Sequence, residues 1–256
     1  GDTAWRLSEN GAEQVADHTG PRLNCLLIDD DAVWVGAAEA NLYRLQDGSL
    51  ERCSSFDEVP GRDRWYTPWG GPPDVRSLAK GGNGYLYANV HVGGVVRSTN
   101  GGAGWSDTMD INADVHEITA HPSQAAAAYA AAAIGLGITA DGADTWRFLT
   151  DGLHGTYCRA AAVTRRHVLF SASLGSRGSN AALYRTDHDG TAPAVKLGGG
   201  LPEWFSTNLD TACLSASGET AVAADPDGTI YVTTDEGSTW EVRASGLPPV
   251  RAVVIA

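Results

Sequence analysis

Positive charge is scarce in this 256-residue sequence: 18 Lys and Arg stand against 31 Asp and Glu, a formal charge of −13. That balance repels phosphate backbones and anionic lipid surfaces, which argues against nucleic-acid and membrane-surface binding. Long hydrophobic runs are missing too. The longest apolar stretch, residues 125–138, is mostly alanine and too short to span a bilayer. Cysteine is sparse: Cys25, Cys53, Cys158 and Cys213 show no CxxC or other metal-ligand spacing, which excludes a disulfide scaffold and a zinc-finger framework. The opening residues, GDTAWRLSENG, have no basic stretch before an apolar one, so no signal peptide is read there, and both a cytoplasmic and a secreted location stay open. No nucleophile elbow, phosphate-binding loop or dinucleotide fingerprint occurs, and the Gly-rich segments GGPP and LGGGLP lack the strand-to-helix setting of a phosphate cradle.

What is present points to a packed β protein. Apolar residues make up 43% and charged residues 19%, enough to bury a core and exclude disorder, while 31 Gly, 11 Pro and eight Trp suggest short strands joined by many turns. Five segments repeat along the chain: NLYRLQDGSLERC, GVVRSTNGGAGW, LGITADGADTW, ALYRTDHDGTAPAV and TIYVTTDEGSTW. With Arg44, Arg97, Ile138, Arg185 and Val232 as equivalent positions, the spacings are 53, 41, 47 and 47 residues. A period of roughly 40 to 50 residues fits one four-stranded propeller blade. A sixth copy opens the chain, where WRLSENGAEQVADHTGPRLNCLLI parallels the closing TWEVRASGLPPVRAVVIA.

Thr233, Asp235, Gly237, Thr239 and Trp240 in TTDEGSTW fill an S/T-x-D-x-G-x-T-W pattern. STNGGAGW (98–105) fits with Asn100 for Asp and Gly104 for Thr, and TADGADTW (139–146) fits with Ala143 for Gly. The pattern resembles the Asp-box, or BNR, repeat of the sialidase-like and sortilin-like propellers. Physically it is a turn in which Asp or Asn bonds its own backbone, Gly takes positive φ and Trp packs between sheets. These are fold-making roles. The resemblance implies a single all-β propeller domain over residues 1–256, with boxes on one face and ligand sites on the other. It leaves activity open, since such propellers include sialidases, glucan-cleaving hydrolases, sortilin-type receptors and photosystem assembly factors.

Strands are expected in the second repeat at 75–79, 85–90, 94–98 and 105–109, and in the third at 115–120, 127–133, 137–140 and 146–150. The alanine run is read as a buried strand despite its helix propensity. Six blades are expected, with five as the alternative. The sixth would be shared between the termini, with 250–255 innermost and 4–8 and 13–17 outermost, although it shows no second strand.

The face opposite the boxes is the one to read for function. A long loop, 55–73, offers Trp65, Tyr66 and Trp69 as stacking surfaces, and Trp204 stands in the matching loop of the fifth blade. One register of the inner strands carries Arg76, His116, Arg159 and Arg251, with Asp74, Asp114, Tyr157 and Asp210 nearby. His91 and His154 fall on the same face. The arginines and aromatics suit a small anionic or carbohydrate-like ligand. The histidines, Tyr157, Asp74, Asp114 and Asp210 suit acid–base chemistry of a hydrolase or lyase. No cofactor is expected, a divalent metal on His91, His116 and His154 being a weak alternative without local ligand spacing. A monomer binding a small molecule is the reading. The competing one is a non-enzymatic scaffold whose aromatic rim docks a protein.

Overall fold

Glycine-bounded segments with β-branched, aromatic and small residues do form strands. The computed structural model describes residues 2–9, 11–29 and 32–255, and its regular structure is almost wholly antiparallel sheet. Five four-stranded meanders follow one another. The first comprises Leu23–Ile28, Val33–Ala37, Asn41–Gln46 and Ser49–Arg52. The second comprises Val75–Lys80, Leu86–Val90, Gly94–Ser98 and Ser106–Asp107. The third is Val115–Ala120, Ala128–Ala132, Gly135–Thr139 and Arg147–Leu149. The fourth is Tyr157–Val163, His167–Ser173, Ala182–Asp187 and Val195–Lys196. The fifth is Leu214–Ser217, Thr220–Ala224, Ile230–Thr233 and Glu241–Ala244. First strands of successive meanders pack side by side around a centre, the arrangement of propeller blades. No helix among the described residues is long and apolar enough to cross a membrane.

Each blade is glued to the one before it. Leu136, Phe170 and Tyr184 pack between the third and fourth blades, and Leu169, Leu214 and Trp240 between the fourth and fifth. All five residues of Ala128–Ala132 are buried. Helix propensity loses here because small side chains on both faces let neighbouring sheets close in.

The three box turns share one hydrogen-bond scheme. In the last, Asp235 Oδ1 accepts from the Thr233 hydroxyl at 2.7 Å and from Thr239 N–H at 2.8 Å, while Gly237 N–H donates to Thr233 Oγ1 at 3.0 Å. Asn100 and Asp141 repeat the pattern with Ser98 and Thr139. Ala143 takes the left-handed conformation (φ 76°) that Gly102 and Gly237 supply in the other turns. Donors from Thr145 and Thr239 hold the Asp141 and Asp235 carboxyls down at about 2.

The sixth position is built from both termini, as the repeat pattern implies. Asp2–Ser8 and Gly11–His18 form a two-stranded ribbon whose second strand packs on Ser49–Arg52. Residues 250–255 run beside the inner strand of the fifth blade, with Val253 N–H donating to Ala212 O at 2.8 Å. No strand stands between that run and the ribbon among the described residues. The side chains that should be covered there remain bare: Leu26 is 62% exposed, whereas Ile118, Ala161 and Leu214 at the equivalent place are 2%, 3% and 4% exposed. Ile28, Trp5 and Val254 are exposed as well.

One expectation for the 55–73 loop is overturned. Trp65 is buried, not displayed: it packs 5.9 Å from the fully buried Phe56, with the Arg62 guanidinium 5.1 Å from its ring. A ring of that size gains more by filling the gap between the first two blades than by standing in water.

Two measurements check this packing. Ile118→Ala should cost about 2–5 kcal/mol of unfolding free energy and Leu26→Ala under about 0.5, despite their equivalent positions. In thermal melts Trp65→Ala and Trp240→Ala should both lose roughly 3–5 kcal/mol, while Trp69→Ala leaves the midpoint nearly unchanged.

Candidate functional site

The inner strands share an irregularity that places the polar register. Pairing with the second strand slips between Leu23 and Cys25, Val75 and Ser77, Val115 and Glu117, and Cys158 and Ala161. Asn24, Arg76, His116 and Arg159 therefore lie in bulges, outside the ladder, in four successive blades. A bulge re-aims a side chain without ending the strand, and its recurrence gathers these groups around the channel mouth. His91 follows the second strand of its blade, at the same end. The box turns, between third and fourth strands, lie at the other end.

At the centre is Asp114, in a left-handed conformation (φ 50°) that closes the short turn Ile111–Ala113. His91 Nε2 lies 3.1 Å from its Oδ1, and His116 Nε2 lies 3.7 Å from its Oδ2. His116 is wholly buried and its Nδ1 is 2.7 Å from the Cys158 carbonyl. Since a carbonyl only accepts, Nδ1 carries the proton there. Burial drives the His116 pKa well below the usual histidine range, outweighing the Asp114 charge. Burial also disfavours the Asp114 charge, but the nearness of His91, His116 and Arg76 leaves its carboxyl below the ordinary value. The pair thus rests as carboxylate and neutral imidazole.

Around this core stand the other groups. Tyr157 packs against His116 with centroids 4.7 Å apart, and the Arg159 guanidinium lies 6.0 Å from the Tyr157 ring. Arg159 bonds Asp210 at 2.5 Å, with its side chain 15% exposed and its buried Nε unpartnered. Arg76 is half-buried, and burial together with the Arg159 charge lowers its pKa. Trp69, 73% exposed, stacks on His91 at 5.0 Å, and Tyr66 beside it is exposed.

Other expected members fall elsewhere. His154 is drawn outward: its Nδ1 meets the Tyr184 hydroxyl at 2.5 Å, its Nε2 the Asn180 carbonyl at 2.7 Å, and its ring lies 4.7 Å from Trp204. Trp204 has Lys196 Nζ 3.2 Å over its ring and packs on the core between the third and fourth blades. Asp74 pairs with Arg22 at 3.3 Å, and Arg251 is exposed at the start of the last run. Asp114 takes the place beside His91 and His116 that a three-histidine cluster would have given to His154. A cleft of about 520 Å³, lined by Arg64, Arg97, Asp107 and Asp144 among others, contains none of the mouth residues.

With this geometry in hand, likeness to known structures is confined to the fold. No protein-family model matches the sequence, and no curated protein does. Solved β-propellers do match. The chain aligns with an ancestral GH74 enzyme at 14% identity and TM-score 0.65, covering 93% of this chain and 36% of that one. A GH74 xyloglucanase from Xanthomonas campestris aligns at 14% and 0.58, covering 84% and 36%. The WD40 β-propeller domain of Doa1 aligns at 15% and 0.67, covering 95% and 76%. The chain thus spans about a third of the length of the GH74 proteins, and the likeness establishes a propeller without assigning an activity.

One further carboxylate ties the mouth together. Glu117, buried beneath His116, accepts from Ala161 N–H at 2.9 Å and Ala212 N–H at 3.0 Å, linking three blades. Burial nonetheless pushes its pKa up to about 8. A carboxyl raised in the folded state favours folding fully below its unfolded pKa, and that contribution is lost as pH rises toward 8. Thermal midpoints of the wild type should therefore fall more between pH 5 and 8 than those of Glu117→Gln.

Proposed function

We propose that the channel mouth is a binding site for a small polar ligand bearing a carboxylate or similar oxyanion, with carbohydrate-like hydroxyls as its remaining polarity. The observation that carries this reading is Arg76: a half-buried guanidinium with no side-chain hydrogen bond or ion pair to another described residue, close enough to Arg159 for their charges to repel. The neighbouring Arg159 has its Nε buried without a partner, and an anion seated between the two arginines would give both guanidinium groups hydrogen bonds while relieving the repulsion. The open face of Trp69 and the ring of Tyr157 offer surfaces on which a sugar or other flat ligand packs.

Calorimetric titration with N-acetylneuraminate, glucuronate and inorganic phosphate tests the reading. At least one probe should bind, and Arg159→Gln, with its fold verified by circular dichroism, should weaken that binding about tenfold or more, or about 1.4 kcal/mol. Failure of all three, or undiminished binding to Arg159→Gln, would favour the protein-docking scaffold, whose contact surface would be the exposed Tyr66 and Trp69.

A further inference from the structure

The arrangement of His91, Asp114 and His116 goes beyond what an anion site requires. One ligand atom from each of the three lies within 4.8 Å of the others. Because His116 Nδ1 faces the Cys158 carbonyl, its Nε2 in the neutral ring is a bare lone pair. That nitrogen is buried with no hydrogen-bond partner, and so is Asp114 Oδ1. His91 Nε2 approaches the same oxygen without forming a hydrogen bond of good geometry. The lone pairs of His116 Nε2 and Asp114 Oδ1 thus face the same small space beside His91 Nε2, and a metal cation seated there would satisfy both.

We infer that His91, Asp114 and His116 form a binding site for a d-block dication of the zinc class. Two imidazole nitrogens and a carboxylate oxygen are the donor set such an ion prefers, and three protein ligands leave a fourth position open. The His91 and His116 nitrogens lie 3.1 and 3.7 Å from the two different oxygens of the Asp114 carboxylate, close to the roughly 3.3 Å that separates donors around a four-coordinate ion with bonds near 2.05 Å. The backbone bond to His116 Nδ1 is the outer-shell contact that fixes the tautomer of a metal-binding imidazole. Trp69 stacks on the His91 ring and covers that side of the site. The two arginines, unfavourable to a bare dication, become favourable once the open position holds an anion, so the metal and the oxyanion ligand bind as one unit. This inference deepens the reading of the mouth as an anion site and rests on it.

Cobalt(II) serves as the probe. The full chain, stripped with chelator, should take up one equivalent with the intense visible absorption of a four-coordinate N/O site, and zinc should displace it. Asp114→Asn and His116→Gln, both near-isosteric and confirmed folded by circular dichroism, should weaken uptake at least about 100-fold, while His167→Ala should leave it unchanged. Absence of one-to-one uptake at millimolar cobalt, or uptake that survives His116→Gln, overturns the metal site. Repeating the oxyanion titrations in chelator separates the two ideas. Anion binding without metal uptake removes the metal alone, whereas failure of anion binding with and without zinc removes the reading of the mouth.

Discussion

A blade of this protein is a sheet with two apolar faces, and neither is stable in water, so each sheet must be covered by its neighbours. That requirement organises the rest of the molecule. It explains why an alanine run becomes a strand, why box tryptophans such as Trp105 and Trp240 lie between blades, and why Trp65 is drawn inward from its loop. It also explains the one place where cover is thin. At the sixth position the ribbon and the last run leave Leu26 and Ile28 open to solvent, although the same register is sealed in the third, fourth and fifth blades.

Close packing of the inner strands has a chemical consequence at the mouth. Polar residues there cannot all face water, so each must find a partner in an adjacent blade. Glu117 accepts backbone N–H groups from two neighbouring blades, His116 meets the Cys158 carbonyl, and Thr211 donates to the His116 carbonyl at 3.0 Å. Arg159 Nε, Asp114 Oδ1 and His116 Nε2 are buried there without a hydrogen-bond partner, beside the half-buried Arg76. Unmatched buried groups of opposite character in one place mark a site made for something else to enter. The two ends of the propeller thus differ: the Asp and Asn side chains of the box turns bond their own backbone, whereas several buried groups at the mouth have no partner.

Several site residues were legible before any coordinates. The inner-strand register carrying Arg76, His116 and Arg159 can be read from PPDVRSL, NADVHEI and GTYCRAA, because a repeat puts equivalent residues at equivalent places. The aromatic loop was legible as a feature but not in its parts: Trp65, Tyr66 and Trp69 look alike in sequence, and one is core, one rim and one a cover for His91. His154 was misplaced for a similar reason. Its strand-end position matches the other histidines, but Tyr184 and Asn180 lie within its reach and hold it away from them.

The sequence by itself determined the period, the turn chemistry and the end of each blade on which polar residues gather, because these follow from local backbone preferences repeated along the chain. Tertiary structure alone decided which polar groups meet. The link between His116 and Cys158 spans 42 residues and that between Glu117 and Ala212 spans 95, and such distances close only when one blade docks on the next. The tautomer of His116, the exposed lone pairs at the centre and the choice of Asp114 over His154 all depend on that docking.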